Sequence, residues 1–322
     1  MASSGSYDFI VTGTQIVQDA AENIGVIATG GTVSSTDQTF FLRKLNLIIK
    51  QWTGKADFAP GLKLFTRARG YLFLNTDNGV YTVGPTTTAT GTTNKFTSTY
   101  VSTTIASNEA LGQTVISVTS ATGILDTNRI GIELDSGAIQ WTTVSGSPAG
   151  NDVTIAVALT AAAAAGNRVF AYATTTQGQR PLDIISAVLR TTDGIDTPLE
   201  PMSVEEYESI GKKSQDSMPT SFYYEPNLID GTIYFDSEPT DVTQVVRLVY
   251  WRATEDFDSI SNDAAFPQEW FRPLCAQLTI DGAIGKRIPV TPEMKMNRDE
   301  SLAIAKNSYP ESTEAYFQPG LD

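Results

Sequence analysis

The sequence contains no histidine and only one cysteine, Cys275. Histidine is the side chain that most often transfers protons near neutral pH, and it is also the commonest metal ligand. Its absence lowers the expectation of an enzyme. A single cysteine excludes an intrachain disulfide and a cysteine-rich zinc site. We therefore expect a non-enzymatic protein without cofactor or metal, which folds in a reducing cytoplasm.

Long apolar runs and basic blocks are also missing. No stretch approaches 18 consecutive apolar residues, so no membrane span is expected, and residues 1–13 lack the basic and apolar regions of a cleaved signal. The chain has 22 Lys and Arg against 36 Asp and Glu, a formal net charge of −14. Without clustered cations, sequence-independent DNA binding is not favoured. The acidic balance fits a conduit that DNA passes through, or simply a soluble surface.

The N-terminal region carries the spacing of helices. Hydrophobic residues make up 41% of the 322 residues, enough for a sizeable core. A helical stripe covers residues 14–28, and a second covers 36–53, where large apolar residues recur at intervals of four, three and four. These patterns predict a helical hairpin that ends before residue 64.

Strand patterns then replace the helical ones. Residues 64–74 and 80–83 read as strands. At Thr86 the composition shifts, because ten of the nineteen residues of 86–104 are threonine. Short β runs separated by turn residues follow as far as residue 173. We predict an inserted all-β domain over 86–178.

The pattern after the insertion mixes both kinds of element. A strand is predicted over 180–190, and Ser203 with Glu206 forms the capping box of a helix over 203–210. Three strands of an antiparallel meander follow, ending near residue 250. Pro267 opens one helix, and a last helix runs from residue 291 or 292 to about 308.

Together these patterns predict an α+β fold. Its core is a helical bundle with a small antiparallel β-sheet, to which an inserted sandwich-like or barrel-like β domain and an extended C-terminal tail are added. The predicted domains are 1–85 and 179–309 for the two parts of the core, 86–178 for the insertion and 310–322 for the tail. The bundle core is assigned to large apolar residues on the helices: Phe41, Leu45, Ile48, Trp52, Trp270, Leu274 and Leu278.

The groups of carboxylates in the sequence are better explained as exposed surface residues than as catalytic or metal-binding sites. Glu205, Glu206 and Glu208 follow one another at a helix start, where negative charge complements the helix dipole. The run 256–263 contains three aspartates but lacks the central glycine and terminal glutamate of a calcium loop, so a polar connector is the better account. No catalytic, cofactor-binding or metal-binding residue is assigned.

The cysteine and three of the arginines also have a structural explanation beside a functional one. Cys275 lies among apolar residues, and without a histidine to activate it a small core residue is expected. Arg67, Arg69 and Arg180 suit contacts with DNA or an acidic neighbour, or exposed strand charges that discourage edge pairing. The sequence leaves that choice open.

Two separated blocks carry a resemblance to a known family. The first, residues 42–52, is similar to a leucine-asparagine-tryptophan helix. The second is an ordered set of pieces at 180–184, 198–207, 212–213, 218–224, 231–239 and 266–270. Their order and spacing resemble the head-to-tail adaptors of short-tailed bacteriophages, also called tail accessory or head-completion factors that stabilise packaged DNA. The resemblance covers most of the chain outside the insertion.

That resemblance implies a structural role in the virion neck or tail, after assembly in the bacterial host cytoplasm. Such adaptors form a ring, usually twelve-fold, docked between the portal protein and the tail nozzle, with tail fibres as a further partner. The ring extends the channel through which packaged DNA passes without sequence-specific binding. C-terminal segments reach into portal subunits, so the expected portal-docking residues are Tyr309, Tyr316, Phe317 and Leu321. Pro273 and Gln277 depart from the family's smoother helix, so individual portal contacts are not transferred.

Two alternatives stay open. The insertion could be a host-binding or fibre-anchoring module, although its aromatic residues fall mostly within strand patterns instead of loops. A peptidoglycan hydrolase would need a carboxylate pair such as Glu205 with Glu225. The ring number, the face that lines the channel and the state of the chain before portal docking are not encoded in any pattern we recognise.

Overall fold

The structure is a computed structural model, and it describes residues 9–53, 65–85, 95–263 and 267–307. The chain divides into two compact units. One unit comprises the described residues of Met1–Thr66 and Ala253–Asp322, and the other comprises those of Arg67–Arg252. The helices are α1 (Gly13–Asn23), α2 (Ser35–Thr53), α3 (Val204–Ser209), α4 (Phe271–Lys286) and α5 (Pro292–Asn307).

Four of these helices, all except α3, build the first unit. Helix α1 begins at a capping box: Gln15 N donates to Thr12 Oγ1 over 3.3 Å, and Thr12 N donates to Gln15 Oε1 over 2.9 Å. A short 3₁₀ turn at Gln268–Trp270 leads into α4, which ends at Arg287 in the left-handed conformation with φ 60°. Among the described helices, none is long and apolar enough to cross a membrane.

The second unit is built mainly from strands. They are β1 (Arg67–Phe73), β2 (Val80–Val83), β3 (Phe96–Thr97), β4 (Val101–Thr104), β5 (Val115–Ser117), β6 (Arg129–Glu133), β7 (Ile139–Thr143), β8 (Asp152–Thr154), β9 (Arg168–Tyr172), β10 (Pro181–Arg190), β11 (Asp196–Pro201), β12 (Ser221–Pro226), β13 (Gly231–Phe235) and β14 (Val245–Arg252).

Eight of these strands form one sheet in the order β2-β13-β12-β11-β10-β14-β1-β3. All neighbours are antiparallel except the parallel pair β11 and β12. The sheet is nearly closed and barrel-like. Its buried face is filled by apolar and aromatic side chains, which include Leu72, Tyr81, Leu248 and Tyr250. Burial of this face supplies the main favourable term for the unit.

The predicted fold class is wrong in its central feature. The fold is mostly sheet, and its dominant element is the eight-stranded sheet instead of a helical bundle with a small sheet. The sheet is large because β1 and β2, which precede the predicted insertion, join the strands β10–β14 that follow it. Arg67 on β1 is paired with Trp251 on β14, a partner that lies far away in the sequence. Local periodicity identified most of these strands but contains no information about that pairing.

The β runs of the predicted insertion form two further sheets, β4-β9-β6-β7 and β5-β8. They enclose their own aliphatic core, which includes Ile116, Ile130 and Val169. The chain enters and leaves this region at one place, because Thr97 forms a bridge with Gln177. Within the second compact unit, Phe73 of β1 packs against aromatic rings of this region: Tyr100, Trp141, Phe170 and Tyr172. The predicted domain boundaries at 86 and 178 stay a prediction.

Candidate functional site

The residues assigned to the helical core lie together in the first unit. None of the seven side chains is more than 7% exposed. All seven belong to one buried cluster formed by α1, α2, α4 and α5: Phe41, Leu45, Ile48, Trp52, Trp270, Leu274 and Leu278.

Two contacts join the first block of the resemblance to residues that are distant in sequence. Trp52 of α2 meets Trp270 edge-to-face, with ring centroids 5.9 Å apart. Asn46 exchanges two hydrogen bonds with the backbone of Phe257: its Nδ2 donates to the carbonyl over 3.1 Å, and its Oδ1 accepts from the N–H over 2.9 Å. These contacts fix α2 against Phe257 and against Trp270, which lies just before α4.

Three tyrosines from the second block pack together in the second unit. Tyr207 of α3 lies 5.9 Å from Tyr223 of β12 and 5.1 Å from Tyr234 of β13, centroid to centroid, and the latter two stack at 5.6 Å. Helix α3 begins at the predicted capping box, in which Glu206 N donates to Ser203 Oγ over 3.2 Å. The pieces 198–207, 218–224 and 231–239 therefore meet at this tyrosine cluster.

The candidate carboxylates of the sequence are engaged in local contacts. Ser203 N donates to Glu206, which lowers the pKa of that carboxyl, and Glu208 pairs with Lys213 at 3.1 Å. Asp256 pairs with Lys50 at 2.7 Å. Glu225 accepts a hydrogen bond from the Tyr234 hydroxyl over 3.0 Å. The contacts of Glu206, Glu208 and Asp256 are explained by helix capping or surface ion pairing.

The single thiol is poorly suited to act as a nucleophile. Burial raises the pKa of Cys275 to about 12, with the charge of Asp19 adding to the effect. Asn23 Nδ2 lies 3.9 Å from the sulfur. Since the thiolate is the reactive form, the thiol is inert at neutral pH in the folded chain.

Three carboxylates that are scattered in the sequence come together at the surface. Oxygens of Asp77, Asp216 and Glu238 lie within 4.8 Å of one another. Asp216 and Glu238 are brought together by a parallel bridge, while Asp77 has a left-handed backbone with φ 55°. Sequence spacing gave no signal of this group. Exposed acidic groups of this kind are common without an ion, and we assign no metal to it.

A second arrangement that the sequence did not predict is a cavity at Lys95. The cavity has a volume of about 470 Å³. Its lining combines a buried lysine and an indole with short polar residues: Asn75, Thr76, Asp77, Asn78, Lys95, Ile139 and Trp141. The only sequence signal was that Lys95 is the one charged residue in the threonine-rich stretch 86–104.

Large apolar side chains are exposed on both units. Leu228 and Ile229, between β12 and β13, are 93% and 65% exposed, and Ile195 in the β10–β11 turn is 65% exposed. Single exposed apolar residues are normal in a monomer, but a protein that assembles also carries them. On the helices the exposed large apolar residues are Leu47, Val204, Ile284, Met296 and Ile304.

The residues expected to dock to a portal, Tyr309, Tyr316, Phe317 and Leu321, lie outside the described residues. In comparisons with known proteins, no protein-family model and no curated protein matches this chain.

Proposed function

We propose that this chain is a non-enzymatic head-to-tail adaptor of a short-tailed bacteriophage. In this proposal it forms a ring between the portal and the tail nozzle, extends the DNA channel and helps to retain packaged DNA. The C-terminal tail docks to the portal, and DNA passes through without sequence-specific contacts.

The main support for the proposal is the position of the residues that resemble the adaptor family. Trp52 and Trp270 belong to different blocks and are separated by more than half of the chain, yet their rings are in contact. Asn46, in the centre of the first block, holds the backbone of Phe257. Residues of both blocks thus lie in one buried cluster, and this common location supports the proposal.

The surface properties are consistent with assembly on a template. Exposed apolar residues such as Leu228 and Ile284 supply area that an interface would remove from water. The formal net charge of −14 opposes spontaneous association, because like-charged copies repel one another until specific contacts compensate. A chain of this kind stays monomeric until a portal aligns neighbouring copies.

The test is mass determination of the purified chain, alone and after mixing with the portal protein of its own phage. We expect a monomer alone and a complex with one chain per portal subunit after mixing. Deletion of residues 310–322 should abolish binding, while the matched surface variant Leu125→Ser in the insertion should retain it, since Leu125 is exposed and far from the tail in sequence. A chain that stays monomeric and ignores the portal would overturn the proposal and favour a host-binding or fibre-anchoring module.

A further inference from the structure

Lys95 is a buried lysine that has no carboxylate partner in the part of the chain that the structure describes. The residue is only 6% exposed, and its Nζ donates to the side-chain oxygen of Asn75. Among the described residues, no carboxylate lies within ion-pair distance of this Nζ, although Asp77 lines the same cavity. The guanidinium of Arg129, a charge of the same sign, also acts on Lys95. Burial, with Arg129 adding to it, lowers the pKa of Lys95 to about 7.

The wall opposite the amine is a rigid aromatic surface. Lys95 Nζ lies 4.9 Å from the centroid of the Trp141 ring. The indole packs against Phe73 at 5.0 Å and Tyr172 at 5.7 Å. It also lies over Gly131, where a Cβ would come within 2.8 Å of the ring. The ring is thus held in place from several sides.

The indole ring of this wall also contains a buried nitrogen. Trp141 Nε1 is buried and has no hydrogen-bond partner among the described residues. A buried N–H without a partner is uncommon and costs free energy. Because this nitrogen has almost no accessible surface, it does not face the cavity. The volume of about 470 Å³ lies within the range of small-molecule sites.

We propose that the Lys95 cavity is a covalent binding site for small neutral aldehydes with an apolar or aromatic body. The neutral Lys95 amine attacks the carbonyl carbon, and the resulting carbinolamine loses its hydroxyl group as water to give an imine between Nζ and that carbon. One amine and one aldehyde thus yield one imine and one water, with no oxidation or reduction. Desolvation and a neighbouring cation are the two conditions that activate lysine amines as nucleophiles. The indole face receives the apolar body, and Asp77 at the rim disfavours anionic aldehydes.

The test uses the purified full-length chain with benzaldehyde and sodium cyanoborohydride at pH 7. Cyanoborohydride reduces the imine to a stable benzylamine, which peptide mapping locates. At this pH about half of the Lys95 amines are neutral, compared with roughly one in 2,500 for an ordinary exposed lysine. We expect Lys95 to be benzylated at least about tenfold faster than any other lysine. The α-amino group, with an ordinary pKa of about 7.7–8.0, also reacts and serves as the internal reference.

Lys213 provides a matched control. Its Nζ also lies over an aromatic ring, 4.7 Å from the centroid of Tyr207, but it is more exposed and is paired with Glu208. Lys95→Arg should remove the fast-reacting site, and Lys213→Arg should leave it unchanged. In the wild-type chain the selectivity should disappear in urea, a result that does not depend on how any variant folds. Labelling spread evenly over the lysines of the native chain, or a Lys95 rate that rises only above pH 9, would overturn the proposal.

Discussion

The side-chain amide of Asn46 and the backbone of Phe257 satisfy each other across 211 residues of sequence. Both hydrogen bonds have ordinary lengths, 3.1 Å from Asn46 Nδ2 and 2.9 Å to Asn46 Oδ1. The Phe257 side chain is buried in the same cluster as α2. One amide therefore acts as a two-point clamp between the second helix and the chain that leads to the fourth.

Asn46→Ala should destabilise the first unit by about 2 kcal/mol, because it leaves a backbone N–H and a carbonyl of Phe257 without their partner. Asn46→Asp keeps the acceptor for the Phe257 N–H but sets a carboxylate oxygen against the Phe257 carbonyl, so it should also lower stability. The neighbouring Leu47→Ala, at a position 58% exposed, should change stability by under about 0.5 kcal/mol. Urea unfolding of the three variants measures these differences. Equal effects for Asn46→Ala and Leu47→Ala would contradict the clamp.

Two glycines of α4 should respond oppositely to alanine. At Gly282 a Cβ would lie 2.4 Å from a ring carbon of Phe41, which is fully buried and held by its neighbours. Overpacking of this kind costs about 1–3 kcal/mol, more than the gain of about 1 kcal/mol from replacing a helical glycine. At Gly285 the clash is with the far end of the Phe40 ring, which is half-buried and can therefore shift at a lower cost.

We therefore expect Gly282→Ala to lower the melting temperature and Gly285→Ala to leave it unchanged or raise it. Phe41→Leu combined with Gly282→Ala should lose less stability than the sum of the two single changes, since the shorter side chain removes the clash. Additive effects in this double-mutant cycle would show that the contact with Phe41 is not the cause of the stability lost in Gly282→Ala.

Lys95 predicts a specific pH dependence of stability. Burial lowers the pKa of Lys95 to about 7, whereas an unfolded lysine titrates near 10.4. Between these values the unfolded chain holds a proton that the folded chain lacks, so this group makes folding more favourable as pH rises. The stability of the wild-type chain relative to Lys95→Met should increase by about 2 kcal/mol between pH 7 and pH 9. A difference that is constant over this range in urea titrations would refute the lowered pKa.

The labelling rate of the Cys275 thiol measures how readily the helical unit opens around this residue. Because burial raises the pKa of its thiol to about 12, reaction with Ellman's reagent at pH 8 should be at least about a hundredfold slower in the native chain than in urea. The chain has no other cysteine, so the signal has a single source. Fast labelling under native conditions would mean that α4 opens readily around this residue.

Local structure was largely predictable from the sequence, whereas strand pairing was not. The stripe through Phe41 and Trp52 identifies α2, and Ser203 with Glu206 identifies the start of α3, because both signals lie within one or two helical turns. The size of the main sheet depends on β1 pairing with β14. Turn chemistry and periodicity act over a few residues, so they underestimated the sheet and overestimated the helical core.

The candidate sites show the same limit. Lys95 stands out in the sequence only as a lone charge among threonines. Its chemistry depends on Trp141 and Arg129, which the fold brings to it from β7 and β6. Asp77, Asp216 and Glu238 likewise meet only after the chain has folded. Residues whose chemistry depends on tertiary neighbours cannot be recognised from their spacing in the sequence.

The bridge between Thr97 and Gln177 has a consequence for the order of folding. It closes a segment of about 80 residues at its base, so this segment can form its own aliphatic core before the rest of the second unit. Once the bridge has formed, only the residues at the base of this segment add to the length of the loop between β1 and β10. The entropy cost of a loop grows with the logarithm of its length, and each halving saves about 0.6 kcal/mol. If this segment closes first, the loop between β1 and its distant partner β14 becomes shorter, and Phe73 is the residue through which β1 then packs on the closed segment.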